Sequence, residues 1–548
     1  MTAILFNSSS NIGHGAQHDW PLRPPPSLSD ATHIIRCLAQ LHSKGPDIEK
    51  YIFLLALKAR EPRMFYRLCV EHMKEVVPLI YTPTVGQACQ EYSHIYRRPE
   101  GLIISIKDKG NIGAILGTWA NKAAARISVV TDGSRILGLG DLGVNGMPIS
   151  VGKLSLYVAC AGIHPSSAIP ICLDFGTNTQ KHLDDPLYLG LRQKRVPTEE
   201  MTEFMDEFMD EMSVVFPKLL VQFEDFSTDH AFKYLDRYRS GYPVFNDDIQ
   251  GTGAVVLSGF INAAKLSSAA SSEPLTAQRI LFFGAGSAGV GVAMQLLSFF
   301  TMEGMTEDEA RRRVWLVDSK GLVYTARGQL AEHKKYFART DYIGPPLTSL
   351  LSIIDYVRPT ALIGLSTIPG TFTPEVLRAM ASISPRPIVF PLSNPVALSE
   401  CTFAEALKHT QGNVLFASGS PFEDMLFDGT MRSAGQGNNM YIFPGLGLGA
   451  ILSRAGRVTD SMVEASALGL ANSLSAAEEA AGLLYPRIER IREISAQVAM
   501  RVVRAAQEAG VDRNPALRAL NDPELHMFVK SHMWDPRRAQ GASVGQRL

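Results

Sequence analysis

Arg279-Ile-Leu-Phe-Phe-Gly-Ala-Gly-Ser-Ala-Gly-Val-Gly-Val-Ala293 decides how the chain is read. Four apolar residues suited to a buried strand run into Gly284, Gly286 and Gly289 at Gly-x-Gly-x-x-Gly spacing, and an apolar helical pattern follows. Strand, tight turn and helix start together let the amides of Gly284, Gly286, Ser287, Ala288 and Gly289 hold a pyrophosphate, which the spacing alone would not establish. The next strand, Val314-Trp-Leu-Val-Asp318, ends in the acid expected to take an adenosine ribose hydroxyl. Ser319 and Lys320 follow it, and either Lys334 or Lys335 lies farther on; a hydroxyl and a cation there suit a 2′-phosphate. Asp318 argues for NAD and its neighbours for NADP, with the lean toward NADP.

Alternation continues through Ala361-Leu-Ile-Gly-Leu, Pro387-Ile-Val-Phe-Pro-Leu and Asn413-Val-Leu-Phe-Ala, each strand ending in a small or amide-bearing loop. This predicts an α/β fold with a doubly wound parallel sheet whose strand ends line one crevice.

The 548 residues exceed what one core holds, so several domains are expected. A formal net charge of −1 with mixed signs excludes a protein built to hold nucleic acid, and no run of eighteen apolar residues predicts a membrane span. Cys37, Cys69, Cys89, Cys160, Cys172 and Cys401 lie in apolar segments without Cys-x-x-Cys spacing, as reduced thiols do. No leader pattern is evident, so a cytoplasmic location is expected, with a mitochondrial one as the alternative.

Upstream, the Ser-, Gly- and Pro-rich residues 1–29 read as a disordered arm. Helical periodicity follows, with Ile34, Ile35, Leu38 and Leu41 on one face and Tyr51, Leu54, Leu55 and Leu57 on the next. Thr82-Pro83 reads as an N-cap with proline at the first helical position, which places Tyr81 just before a helix. Ile127-Ser-Val-Val-Thr131, Asp132-Gly133 and Ser134-Arg135-Ile-Leu-Gly read as a hairpin. The glycine-rich loop Gly138–Gly146 then feeds an apolar helix that carries Lys153 near its start. Burial and the helix dipole would both favour a neutral amine there, suited to a general base; the alternative is a stem lying along the helix with its ammonium in water.

Two acid pairs, Glu224-Asp225 and Asp247-Asp248, close the apolar runs Lys218-Leu-Leu-Val-Gln-Phe223 and Tyr242-Pro-Val-Phe245. Four carboxylates at neighbouring strand ends would repel one another, and a hard divalent cation, Mn²⁺ or Mg²⁺, relieves that with oxygen ligands. Solvated loop acids that cap a helix are the plainer alternative.

Ile80-Tyr-Thr-Pro-Thr-Val-Gly86, Val130–Gly143, Gly152-Lys-Leu154, Gln222-Phe-Glu-Asp-Phe226, Phe245-Asn-Asp-Asp-Ile-Gln-Gly-Thr252, Leu392-Ser-Asn-Pro395 and Gly437-Asn-Asn439 occur in the order of the signature segments of malic enzymes, and the chain resembles that family over about residues 30 to 535. The resemblance implies oxidative decarboxylation of L-malate to pyruvate and CO₂ with reduction of NAD(P)⁺, and decarboxylation of oxaloacetate. By position it assigns the metal to Glu224, Asp225 and Asp248. Lys153, paired with Asp247, would be the base, and Tyr81 the acid. Arg135, Asn394 and Asn439 would orient substrate, with Asn394 also beside the cofactor. Without the resemblance, Arg135 reads as an exposed arginine and the two asparagines as turn residues. It further implies an N-terminal helical domain (30–100), a catalytic domain (101–246) that resumes at 438–548, an inserted dinucleotide-binding domain (247–437), and a homo-oligomer, dimer or tetramer. A dehydrogenase of another hydroxy acid and a silent nucleotide-binding regulator are the alternatives. The last fifteen residues read as a basic, solvated tail.

Overall fold

The computed structural model of the chain describes residues 29–538 apart from Pro395. The expected disordered arm therefore lies outside the described residues except for Ser29, whose hydroxyl caps the first helix by accepting from Thr32 N at 3.2 Å. Helices Asp30–His42, Asp47–Arg60, Pro62–Glu71, Met73–Ile80 and Thr84–Ile95 form the N-terminal unit. Ile34, Cys37 and Leu41 turn inward on the first of them, while Ile35, expected on that face, points out.

Five strands follow: β1 (Leu102–Ser105), β2 (Ile127–Thr131), β3 (Ala168–Asp174), β4 (Leu220–Phe223) and β5 (Val244–Asn246). They form one parallel sheet in the order β1-β3-β2-β4-β5. This corrects the expected hairpin. Both edges of β2 are taken by parallel neighbours, so Ser134–Gly138 cannot fold back on it. Asp132 instead accepts from Ser134 N at 3.0 Å, and Arg135 N donates to Asp225 O at 3.2 Å.

The second sheet contains β6 (Ile280–Phe283), β7 (Val314–Asp318), β8 (Gly321–Leu322), β9 (Ala361–Gly364), β10 (Ile388–Pro391), β11 (Leu415–Ser418) and, past the small hairpin β12 (Met425–Phe427) and β13 (Thr430–Arg432), β14 (Gly435–Gln436). Its order is β14-β11-β10-β9-β6-β7-β8, parallel except where β8 returns on β7. Strand order thus reverses between β6 and β9, the switch point outside which such sheets bind ligands. The doubly wound α/β expectation is borne out.

Two buried helices form the middle of the molecule, and the first of them links the sheets. Thr252–Ser271 leaves the end of β5 and packs against Ser287–Met302 and Asp460–Ala471. Asp247–Ser271 is long and apolar enough to cross a membrane by length and composition, but 72% of its apolar window is buried inside the protein. Met147–Ala161 is buried along its whole length and meets the returning helix Phe443–Ser453, with Tyr157 edge-on to Phe443 at 5.0 Å. The start of the expected solvated tail is docked: Trp534 N donates to Gly162 O at 2.6 Å and the indole meets Tyr66 and His164 edge-on. Its residues 539–548 lie outside the described residues.

Phe443–Ser453 can lie so close to Ile491–Glu508 because it carries glycine where the backbones touch. A Cβ on Gly445 would sit 2.6 Å from Val498 Cβ. Gly445→Val should therefore cost about 1–3 kcal/mol and lower the melting temperature by several degrees; an unchanged melting curve would show that the helices can separate freely.

Candidate active site

The acid pairs occupy neighbouring strand ends because β4 and β5 are hydrogen-bonded neighbours in register. Asp225 holds a left-handed backbone (φ 55°), rare for a residue with a side chain and a form of strain that collects at functional sites. Its N–H donates to Asp248 Oδ2 at 2.7 Å. Oxygens of Glu224, Asp225 and Asp248 lie within 4.8 Å of one another, and Asp225 Oδ2 is buried with no hydrogen-bond partner among the described residues. Burial, then the neighbouring carboxylates, holds Glu224 and Asp225 well above the ordinary carboxylate range; burial also raises Asp248 against the pull of Lys153. Three acids that resist ionising together, one of them with a buried oxygen that has no partner among the described residues, fit a hard divalent cation.

The fourth acid of the two pairs, Asp247, does not join this cluster but lies against Lys153, the pairing that the resemblance implied. Asp247 opens a short π-helical turn, Asp247–Gly251, and its carboxylate faces the helix Met147–Ala161, where it meets Lys153. Lys153 Nζ also lies 2.8 Å from Glu224 Oε1 and is shut from solvent between the rings of Tyr81 and Phe443, at 5.4 and 4.5 Å from their centroids. Lys153 sits in the middle of its 15-residue helix, too far in for the helix N-terminus to act on it. Burial pulls it toward the neutral amine, but Asp247 and Glu224 outweigh burial and hold it well above the ordinary lysine value.

Tyr81 is buried beside Lys153, and burial pushes its phenol up while Lys153 pulls it back. It ends the helix Met73–Ile80, its N–H donating to Val77 O, and the next helix opens only at Thr84. Pro83 thus takes the cap position and Thr82 lies outside it, one residue later than the sequence suggested.

Arg135 lies exposed at the rim, donating to Thr228 Oγ1 at 3.0 Å, and its charge helps lower Asp225 and Asp248. Asn439 Nδ2 donates to Asp247 Oδ2 and O at 3.1 Å and to Thr252 Oγ1 at 3.0 Å, so it steadies Asp247. Asn394, after β10, is exposed and accepts from Ser420. A Cβ on Gly138 would come within 3.6 Å of Asn394 O, so the glycine-rich loop of one sheet faces the asparagine loop of the other. Two residues escaped the sequence reading. Tyr157 donates to Gln222 Oε1, and Gln222 Nε2 donates to Glu224 Oε2 at 2.7 Å, all three buried. Alternation along β4, which puts Gln222 on the face of Glu224, was the available signal.

Beyond Asn394 is the glycine turn after β6. Gly284 has φ 118°, and a Cβ on Gly289 would lie 1.9 Å from Gly284 O, so both must be glycine for the turn to close on the helix Ser287–Met302. Gly286 and Ala288 are exposed in this turn. Asp318 ends β7 as expected, but its oxygens are already engaged. Arg327 donates from Nη1 at 2.8 Å and Nη2 at 2.6 Å, Lys334 Nζ lies at 2.7 Å, and Lys320 N donates at 2.9 Å. Burial opposes ionisation of Asp318, but these donors hold it at about 2. Ser319 and Lys320 are exposed beside it, whereas Lys335 turns away to Glu332.

A family model for the N-terminal domain of malic enzyme matches residues 58–239, and one for the malic enzyme NAD-binding domain matches 249–507. The chain is 45% identical over 541 residues, 97% of each chain, to a Dictyostelium discoideum protein named NADP-dependent malic enzyme. It is also 45% identical over 495 residues, 90% of this chain and 83% of the other, to NADP-dependent malic enzyme 3 of Arabidopsis thaliana. The crystal structure of Entamoeba histolytica malic enzyme shares the fold over 95% of this chain and 92% of its own at TM-score 0.58 and 22% identity. For malic enzyme from Pyrococcus horikoshii Ot3 the values are 83%, 88%, 0.53 and 25%. With both halves of the crevice matched and nearly the whole length aligned, the chain belongs to the malic enzyme family.

Proposed function

We propose that this chain oxidatively decarboxylates L-malate to pyruvate and CO₂ with NADP⁺ as the oxidant, and also decarboxylates oxaloacetate. The observation that carries the reading is Lys153, sealed between Asp247 and Glu224 beside a three-carboxylate cluster at the mouth of a dinucleotide fold. Glu224, Asp225 and Asp248 are the residues to hold Mn²⁺ or Mg²⁺. When bound, the cation and the dinucleotide would supply a Lewis acid at the C2 oxygen and a hydride acceptor at C2.

The rest falls to side chains. Glu224 is shared in this structure between Lys153 and its acid neighbours, so a cation held by Glu224 would weaken one of the two carboxylate contacts that keep Lys153 protonated, the other being Asp247. As the free amine, Lys153 takes the C2 hydroxyl proton, and Asp247, steadied by Asn439, keeps the resulting ammonium in place. Tyr81, kept protonated by burial and lying against Lys153, delivers a proton to C3 after CO₂ departs. Arg135 at the rim suits a substrate carboxylate, and Asn394 and Asn439 border the same space.

Arg327 and Lys334 support NADP. An acid whose oxygens are filled by two cations accepts a ribose hydroxyl poorly, while the cations that fill it suit a 2′-phosphate, with Ser319 and Lys320 beside them. The buried, unpaired cysteines support the cytoplasmic placement. The partly exposed apolar face of Ile52, Leu55, Ile95 and Tyr96 supports a homo-oligomer.

Purified protein should reduce NADP⁺ with L-malate and Mn²⁺ and stop on chelation. Lys153→Ala should lower kcat by about 10²–10⁴-fold while oxaloacetate decarboxylation, which needs no hydroxyl deprotonated, loses far less; equal losses would remove Lys153 from the role of base. Arg327→Ala should raise KM for NADP⁺ roughly tenfold and leave NAD⁺ kinetics nearly unchanged, and a parallel rise for both would refute the 2′-phosphate reading. Light scattering should return a mass of two or four chains; a single-chain mass would rule out the oligomer.

A further inference from the structure

Tyr157 and Gln222 are fully buried polar residues that none of the steps above employs. Tyr157 stands one turn beyond Lys153 on the helix Met147–Ala161, so the two share a face of it. Its ring meets Phe443 edge-on at 5.0 Å, and Phe443 also lies over Lys153 Nζ. A Cβ on Gly447 would stand 2.5 Å from Tyr157 Cε1, so glycine there admits the ring. Gln222 lies inside the first sheet, on β4, with Val129 of β2 at one edge and Phe245 of β5 at the other. Both residues are held by their surroundings.

The two act in series on one acid. Tyr157 donates to Gln222 Oε1, and Gln222 Nε2 donates to Glu224 Oε2 at 2.7 Å. Glu224 Oε1 lies 2.8 Å from Lys153 Nζ, so one helix holds both oxygens of the carboxylate, the first directly and the second through the amide. The two holds are not equivalent. Lys153 is shared with Asp247, whereas the amide of Gln222 meets Glu224 alone among the described carboxylates. The terminal torsion of a glutamate is broad, and anchors on both of its oxygens remove that freedom.

Packing does not ask for this arrangement. A leucine at 222 and a phenylalanine at 157 would fill much the same space without polar groups of their own to satisfy. What the polar pair adds is direction. An amide presents an acceptor and donors through nearly the same shape, and a hydroxyl that donates to its oxygen turns its N–H₂ toward the acid. Groups that orient a ligating side chain in this way set metal affinity, although they never touch the ion.

We propose that Gln222, oriented by Tyr157, is the positioning residue of the cation site: it fixes the carboxylate of Glu224 so that its ligand oxygen is held with those of Asp225 and Asp248, within 4.8 Å of one another. The inference rests on the metal reading of the three acids and goes beyond it, because it makes the affinity depend on two residues that are not ligands.

Calorimetric titration of the full chain with Mn²⁺, and separately with NADP⁺, tests it. Gln222→Met, which keeps the volume and removes the donor, should raise Kd for Mn²⁺ by about 10–100-fold and leave Kd for NADP⁺ within about twofold. Tyr157→Phe, which keeps the ring against Phe443, should raise Kd for Mn²⁺ about threefold. Added to Gln222→Met, it should change Kd by no more than about twofold, since the hydroxyl acts only through the amide. An unchanged Kd for Mn²⁺ in either variant, an equal rise for NADP⁺, or a double variant in which the two losses multiply would overturn the proposal and leave the pair as core packing. If Gln222→Met fails to fold, Tyr157→Phe decides alone by the same two titrations. Failure of the parent chain to bind Mn²⁺ would instead overturn the metal reading, and this inference with it.

Discussion

The structure depends on a concentration of charge that water cannot reach. Glu224, Asp225, Asp247 and Lys153 are all buried, with Asp248 beside them. Unpaired carboxylates in such a place are costly by several kcal/mol each, and one ammonium neutralises only part of the set. Much of the surrounding architecture serves to keep these groups in register. β4 and β5 bring the acid pairs together, Met147–Ala161 inserts the lysine, and Phe443–Ser453 closes over it with Phe443. No single domain supplies the site: its acids end the first sheet, its lysine lies on the helix after the glycine-rich loop, and Asn439 arrives only after the second sheet is complete.

The sequence revealed the parts of this that are encoded locally. A strand that ends in two acids announces itself through alternation and charge, and Arg279–Ala293 does so through strand, glycine turn and helix. Residues whose meaning depends on a distant partner did not announce themselves. Asp318 stands where a ribose-binding acid would, and only folding shows Arg327 and Lys334 on its oxygens. Lys153 was seen as an oddity in an apolar helix, but the sign of its perturbation depends on Asp247 and Glu224, 94 and 71 positions away. The hairpin at Asp132-Gly133 failed for the same reason. The turn chemistry was present, but whether a strand can return there depends on β3 and β4 already occupying both edges of β2.

Asp318 and Glu400, both acids of the second sheet, are partnered in opposite ways. Asp318 is neutralised by cations and held at about 2, so its net effect on the crevice is set by what it carries rather than by its own charge. Glu400 is met, among the described residues, only by neutral donors from Ser366 and Ser393. Asp318 ends β7 and Glu400 follows the short turn after β10, yet both look alike in sequence: an acid after an apolar run or turn. What separates them is the partner set, which only the folded chain provides.

The loop that carries Arg135 is likewise defined by distant partners. Arg195, half-buried with its side chain only 8% exposed, donates to Asp141 from Nη2 at 2.8 Å and from Nε at 3.0 Å, and to Asp132 O at 2.8 Å. Asp132 caps Ser134, and Ser134 Oγ accepts from Ser227 N at 2.7 Å, two residues after Asp225. One guanidinium thus anchors both ends of the turn at 132–141 and, through Ser134, ties that turn to the segment holding the metal-site acids. Arg135 is exposed and has one neutral side-chain partner, so its own contacts do little to fix where it points. Its backbone is fixed instead, by the bond to Asp225 O and by the buried network behind it. A side chain free to reach a substrate from a rigid base loses less entropy on binding than one that must first be ordered, and such a network gives the exposed arginine that base.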